Sequence, residues 1–173
     1  MENTGTLKVT TPTEREIVLT RVLDAPRSLV FDALTKPELL KRWFFGPDGW
    51  SLAVCDIDLK VGGAWRFVWR HESKGTDMGA RGVYREIVPS ERLVHTESFD
   101  DPWYPGEAMV TTILVEQGGK TTLTLTVLYE SREARDAVIN SNMEHGVGES
   151  YDRLAELLAS AQARRMERGA RKS

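Results

Sequence analysis

The stretch RLVHTESF, residues 92–99, holds the two side chains best suited to acid–base or polar-binding chemistry. Side chains alternate between the two faces of a strand, so one face would carry Leu93, His95, Glu97 and Phe99. If Leu93 and Phe99 point into the interior, then His95 and Glu97 do so as well. Burial among aromatic rings raises the pKa of a carboxyl group unless a partner compensates, and His95 is close enough to be that partner. The pattern indicates a pair that orients a polar ligand group or transfers a proton.

Two structural readings of the same pair stay open at this stage. A bulge or a shift of register would turn His95 and Glu97 to solvent, where they would do nothing in particular. The two side chains could also satisfy each other by a hydrogen bond and bind no ligand. Ligand binding, catalysis and a purely structural role are therefore all compatible with this strand.

The residues that commonly hold metals or cofactors do not form a recognisable set. His71, His95 and His145 are far apart, and no Cys/His pair has zinc-site spacing. Asp56 and Asp58 share a strand face, but no further oxygen donors follow in the order of a calcium loop. Nucleophile motifs, phosphate-binding glycine loops and dinucleotide fingerprints do not occur. We expect no metal and no cofactor.

A stripe of aromatic residues lies in VGGAWRFVW, residues 61–69. Trp65, Phe67 and Trp69 would share one face of a strand, while Arg66 and Arg70 would take the solvated face. Such a stripe forms either an ordinary core or the wall of a cavity. Both interpretations stay open from the sequence.

The elements that must position these residues follow from periodicity and turn signals. A first strand over about 15–23 is followed by two short helices, the second over PELLKRWF. Six strands then follow over about 50–59, 64–71, 78–88, 92–99, 108–117 and 121–130, and their short connections favour an antiparallel meander. A last helix carries one apolar stripe from Met143 to Ala161, which must pack on the sheet. The pattern predicts an α+β fold with a curved antiparallel sheet of about seven strands.

Composition limits the class of protein and its compartment. The 173 residues are 40% hydrophobic with a net charge of −3, which favours one globular domain and argues against nucleic-acid binding. The single cysteine, Cys55, lies in an apolar strand and is expected to be a small buried hydrophobe. Without a signal-like start or a membrane-length apolar run, we expect a cytoplasmic protein that does not enter a membrane. Expected boundaries are a flexible N-terminus over 1–14, one domain over 15–162 and a basic, disordered tail over 163–173.

Four stretches together resemble one known family: APRSLVFDALTKPELLKRWFFGP, DIDLKVGGAWRF, GVYREIVPSERLVHT and MEHGVGESYDRLAELLA. In this order they are similar to the START-like (SRPBCC) superfamily, and best to the branch named after the C-terminal domain of the activator of heat-shock protein 90 ATPase. The resemblance implies a helix-grip fold, in which a curved sheet wraps a long C-terminal helix and leaves a cavity between them. It also implies that some members bind lipids or other apolar molecules and that a few relatives are enzymes.

On this basis the sequence predicts binding of a small, largely apolar ligand, in the context of a stress response. His95, Glu97 and Tyr84 would supply the polar contacts, and the loop DDPWYPGEAM would cover either the cavity or a core edge. The alternatives are an enzyme of the polyketide cyclase or hydratase type that uses Glu97 and His95, and a regulator that contacts a chaperone. The chain would be a monomer or a homodimer. The predicted apolar lining is Trp43, Trp65, Phe67, Trp69, Phe99, Trp103, Met109, Leu123, Leu125, Met143 and Val147.

Overall fold

The computed structural model describes residues 7–171 of the chain. Its twelve elements are, in order, β1 (Lys8–Thr10), β2 (Glu16–Leu23), α1 (Arg27–Thr35), α2 (Pro37–Trp43), β3 (Trp50–Ile57), β4 (Ala64–His71), β5 (Asp77–Val88), β6 (Arg92–Phe99), β7 (Ala108–Gln117), β8 (Lys120–Leu128), α3 (Arg132–Ile139) and α4 (Met143–Arg171).

The strands form one sheet in the order β1-β2-β8-β7-β6-β5-β4-β3, and every neighbouring pair is antiparallel. The hairpins from β3 to β8 follow the chain, as their short turns predict. The sheet is curved, and the long helix α4, the last element of the chain, packs against it. The predicted α+β helix-grip architecture is confirmed.

The sheet has eight strands, one more than the sequence pattern indicates. The additional strand is β1, whose Val9 lies opposite Leu19 of β2. It falls in the segment expected to be flexible; residues 1–6 of that segment lie outside the described residues. A strand of three residues with one apolar side chain is too short to show alternation, so it left no signal in the sequence.

Helix α4 continues to Arg171, well beyond the last residue of its apolar stripe. The segment from 163 onward was expected to be a disordered tail, but its Ala, Arg, Met and Glu residues are strong helix formers and it remains helical. Residues 172 and 173 of the expected tail lie outside the described residues. In residues 7–171, no helix has both the length and the apolar character that crossing a bilayer requires.

The N-terminal half of α4 is fastened to the turn between α2 and β3. Arg153 donates to the carbonyl oxygen of Gly46 at 2.6 Å and to Asp48 at 3.1 Å, and its guanidinium lies 3.8 Å from the centroid of the Phe45 ring. The hydroxyl of Ser150 accepts a hydrogen bond from the Gly46 amide at 2.9 Å. These contacts hold α4 against α2, while its other backbone contacts are mostly with α1, α3 and β2.

The apolar core consists of two clusters on the concave side of the sheet. The first joins α1, α2 and α4 to β3, β4 and β5, with Trp43 and Leu154 among its most buried members. The second joins α3 to β2, β7 and β8 around Ile17 and Val110. Side chains that pack against both clusters while staying partly exposed mark the boundary between them: Leu7, Phe99, Leu125 and Val147.

Candidate functional site

The boundary between the two core clusters is the part of the concave face where side chains stay only partly buried. The strand register places β4, β6 and β8 side chains on the same face here, with α4 opposite. We call this group the concave cleft: Phe67, Trp69, His95, Glu97, Phe99, Leu125 and Val147. All seven belong to the lining predicted from the sequence.

Glu97 is the acidic side chain of the concave cleft. It lies opposite Ala108 on β7, on the inner face as predicted. Among residues 7–171 it takes part in no hydrogen bond or ion pair. Desolvation by burial raises the pKa of its carboxyl group to about 7, so the group is close to half-protonated at neutral pH.

His95 lies on the same face but has its own partner. Its Nδ1 lies 3.1 Å from the carbonyl oxygen of Thr96, to which Nδ1–H donates. The ring packs edge-on against Trp65 at 5.4 Å and Tyr84 at 5.9 Å, and burial lowers its pKa. In the described part of the chain, no hydrogen bond joins His95 to Glu97, so the predicted pair does not form.

Several predicted lining residues belong to the packed core instead. Trp65 is only 4% exposed, and its Nε1 donates to the Thr96 carbonyl at 3.1 Å. Trp43 donates in the same way to the Ala33 carbonyl at 2.9 Å. Their indole N–H groups are therefore satisfied by protein atoms. Tyr84 and Leu123 are also buried.

The aromatic stripe of β4 therefore divides between core and cleft. Phe67 and Trp69 are partly exposed and pack with Phe44 of the turn after α2, with ring centroids 5.6–5.8 Å apart. The Trp69 Nε1 donates to the Phe44 carbonyl at 2.9 Å. The same stripe therefore contains one buried ring, Trp65, and two partly exposed rings, Phe67 and Trp69.

Three predicted residues lie at the margin of the concave cleft or away from it. Met109 lies opposite Thr96 and Leu128, on the other face of the sheet, so it does not line the cleft. Both faces of β7 carry apolar residues, and only the register decides which face is inner. Trp103 is 40% exposed and packs edge-on against Phe99 at 5.6 Å. Met143, at the start of α4, packs against the second core cluster.

Two tyrosines that the sequence analysis did not select lie beside Glu97. Tyr104, in the loop after β6, is 5% exposed, and Tyr129, directly after β8, is 4% exposed. Burial first, and the charge of Glu97 second, raise the pKa of both hydroxyls. The only sequence signal was a pair of aromatic residues, Trp103 and Tyr104, in an otherwise polar connector.

Two surface depressions lie outside the concave cleft. One, of about 400 Å³, lies between the start of α1, the β5–β6 turn and the end of β7. The other, of about 230 Å³, is lined by charged side chains, among them Arg66 and Asp100, together with Val68 and Met78. Neither is the cavity that the resemblance predicts between the sheet and α4.

Residues 7–171 contain neither a group of side chains that could bind a metal ion nor a reactive cysteine. No group of three or more His, Cys, Asp or Glu side chains is placed to hold a metal ion. Cys55 is buried, and burial raises the pKa of its thiol to about 11, which keeps it protonated at neutral pH.

The comparison with protein families decides the relationship. The family model described as "Activator of Hsp90 ATPase homolog 1-like protein" matches residues 24–159. The chain belongs to this family. The resemblance found in the four sequence stretches is thereby confirmed, together with the START-like fold.

Solved structures of bacterial proteins share the fold over nearly their whole length. A protein from Rhodobacter sphaeroides is 32% identical with a TM-score of 0.84, covering 89% of this chain and 98% of its own. One from Nitrosomonas europaea is 28% identical (TM-score 0.76; 88% and 99% covered), and one from Chromobacterium violaceum is 31% identical (TM-score 0.71; 84% and 98% covered). No functionally curated protein matches the chain.

Proposed function

We propose that this protein binds a small, largely apolar molecule in the concave cleft, with Glu97 facing the polar end of the ligand. Membership of the family supports ligand-binding or regulatory roles in general. The observation that favours ligand binding is the partial exposure of Phe67, Trp69 and Phe99 on the inner face of the sheet, which also carries Glu97. Among residues 7–171, the Glu97 carboxyl group has no protein partner.

The position of α4 supports this proposal. The helix is fastened to the α2–β3 turn by Arg153 and Ser150, and its backbone contacts are mostly with α1, α2, α3 and β2. With α4 in this position, the inward-facing rings of Phe67, Trp69 and Phe99 on β4 and β6 stay partly exposed. Partly exposed aromatic rings on an inward-facing surface are the usual lining of sites for apolar ligands.

The direct test is native mass spectrometry of freshly purified protein, followed by titration with the neutral apolar fluorophore N-phenyl-1-naphthylamine. We expect a co-purified small molecule, or saturable binding of the fluorophore at one site. Replacing Phe99 with Ala should weaken the fluorophore about tenfold or more, because a buried aromatic side chain removes a large apolar area from water. Val147→Phe should weaken it as well, by filling the boundary between the two core clusters.

The matched control is Ile113→Ala, which removes an exposed apolar side chain from the opposite face of the sheet. It should leave the affinity within about twofold. Circular dichroism and thermal unfolding would establish that all variants fold. Absence of saturable binding to the folded wild-type protein, or equal losses in Phe99→Ala and Ile113→Ala, would refute the proposal.

A second function, acid–base catalysis by Glu97, is favoured by one observation: a pKa near 7, which suits proton transfer at neutral pH. Glu97→Gln separates the two functions, because an amide keeps the shape of the side chain but cannot exchange a proton. A binding protein should retain the fluorophore and its co-purified molecule in this variant. An enzyme should retain the fluorophore and lose turnover of that molecule.

A further inference from the structure

The hydroxyl group of Tyr104 is buried without a hydrogen-bond partner among the described residues. The side chain is 5% exposed, so bulk water does not satisfy the group either. A buried hydroxyl that lacks a partner costs free energy, and native proteins usually supply one. A hydrogen-bond acceptor next to the Tyr104 hydroxyl would remove this cost.

The ring of Tyr104 is held by aromatic neighbours on several sides. Its centroid lies 5.2 Å from Tyr129, 5.3 Å from Trp103 and 5.9 Å from Phe99, all in edge-to-face contacts. A ring packed in this way cannot easily turn its hydroxyl toward solvent. The fixed position makes the group suited to orienting a bound molecule.

The register of the sheet brings Glu97 to the same place. Glu97 lies opposite Ala108, and Met109, the next residue of β7, lies opposite Leu128, the last residue of β8. Tyr129 follows Leu128 directly, so the chain brings it close to this row. Burial first, and the charge of Glu97 second, raise the pKa of Tyr104 and Tyr129, so both hydroxyls lie within electrostatic reach of that carboxyl group.

The remaining surroundings contain few charges. The other titratable groups near this row are His95 on β6, which is bound to the Thr96 carbonyl, and Glu107, whose charge reaches Tyr104. The α3 and α4 residues that pack against the second core cluster are apolar: Ala134, Ala137, Val138, Ile139, Met143 and Val147. Among residues 7–171 no cation faces Glu97, and burial is the cause of its raised pKa. A protonated Glu97 would act as a second hydrogen-bond donor beside Tyr104.

We propose that Tyr104 is the orienting donor of the concave cleft and that the ligand is an apolar molecule with an uncharged carbonyl oxygen. This inference rests on the proposed function and specifies its ligand class. An acceptor oxygen satisfies the Tyr104 hydroxyl, whereas a hydrocarbon leaves it unpaired. A carboxylate would meet the negative charge of Glu97 whenever that group ionises. An ammonium group could pair with an ionised Glu97, but it has no acceptor atom and would leave the Tyr104 donor unpaired.

The test uses four molecules with one naphthalene frame, each competing with N-phenyl-1-naphthylamine at pH 6. They are 2-acetylnaphthalene, 2-ethylnaphthalene, 2-naphthoate and 1-(2-naphthyl)ethylamine. We expect the ketone to bind about five- to tenfold more tightly than the ethyl compound, as one hydrogen bond to a buried donor would give. The carboxylate and the amine should both bind more weakly than the ketone.

Tyr104→Phe should abolish the preference for the ketone and leave the affinity of 2-ethylnaphthalene unchanged. It should fold at least as stably as the wild type, because it removes an unpaired buried hydroxyl and keeps the ring. The matched control is Tyr151→Phe, a buried tyrosine of the first core cluster, which should preserve the preference.

Failure of this inference is distinct from failure of the proposed function. If the fluorophore does not bind, the proposed function fails. If it binds but the ketone and the ethyl compound compete equally, the inference alone is overturned. Tighter binding of the amine or the carboxylate, or a ketone preference that survives Tyr104→Phe, overturns it as well.

Discussion

Glu97 and His95 point from the same face of one strand but have different surroundings. The Nδ1–H group of His95 donates a hydrogen bond to a backbone carbonyl, and the ring packs against two aromatic rings. Burial lowers its pKa, which favours the neutral form. In the part of the chain that the structure describes, the Glu97 carboxyl group has no such partner, and burial raises its pKa. Alternation along β6 correctly predicted the shared face. It did not predict that the backbone would take His95 as a partner, because hydrogen bonding depends on the local path of the chain.

Glu97→Gln should stabilise the protein at pH 8 but not at pH 4.5. The pKa of Glu97 rises from 4.5 to about 7 on folding, so the folded state holds this proton more tightly than the unfolded state. The wild type therefore loses stability as pH rises from about 4.5 through 7, and glutamine avoids this loss. We expect a gain of about 1–3 kcal/mol in the free energy of unfolding at pH 8.

Urea denaturation of both proteins at pH 4.5 and pH 8 measures this difference. The control is Glu107→Gln, at an exposed position at the end of the loop that joins β6 to β7. It should change stability little at either pH. A Glu97→Gln variant with equal stabilisation at both pH values would show that the carboxyl is not shifted by burial.

At the scale of elements, the start of α4 contains two glycines, a residue type that is unfavourable inside a helix, and their surroundings differ. A Cβ at Gly146 would lie 3.3 Å from Cδ of Pro47, so this position allows close approach of α4 to the α2–β3 turn. A Cβ at Gly148 would meet no atom within 4 Å. The first glycine thus has a packing reason, and the second does not.

Gly148→Ala should stabilise the protein by up to about 1 kcal/mol, because alanine favours the helix and finds open space. Gly146→Ala should gain less or lose stability, since its methyl group crowds Pro47. Thermal unfolding of the two variants gives the comparison. A larger gain at 146 than at 148 would contradict the packing described for this turn.

At the scale of the whole molecule, the long helix α4 continues beyond the part that is buried against the rest of the protein. The last buried side chain of α4 is Leu158, which is 3% exposed, whereas residues 163–170 are exposed. The buried face of α4 therefore ends at Leu158, and the basic part of the helix further along is helical by local propensity.

A chain that ends after Gln162 should keep its fold and lose less than about 2 °C in Tm, which corresponds to less than about 1 kcal/mol. Leu158→Ala in the full chain is the contrasting variant and should cost about 2–5 kcal/mol, because it leaves a cavity in the first core cluster. Calorimetry of both proteins checks this. A large loss on truncation would mean that the basic end contacts the domain.

The sequence by itself determined the elements and most of their faces. Periodicity gave seven of the eight strands, the long terminal helix and the inward orientation of Trp65, Phe67, His95 and Glu97, because these signals are local and repeat every two or 3.6 residues. Four stretches in a fixed order were enough to identify the family.

Only the tertiary structure decided which inward side chains are core and which remain accessible. Trp65 is buried and Trp69 is partly exposed although they share one strand face, because exposure depends on which distant segments pack over each residue and not on alternation. The face of Met109 depended on the register of β7 with β6 and β8. Tyr104 became a candidate donor only when the loop placed its hydroxyl beside Glu97, because such contacts arise between segments that folding brings together.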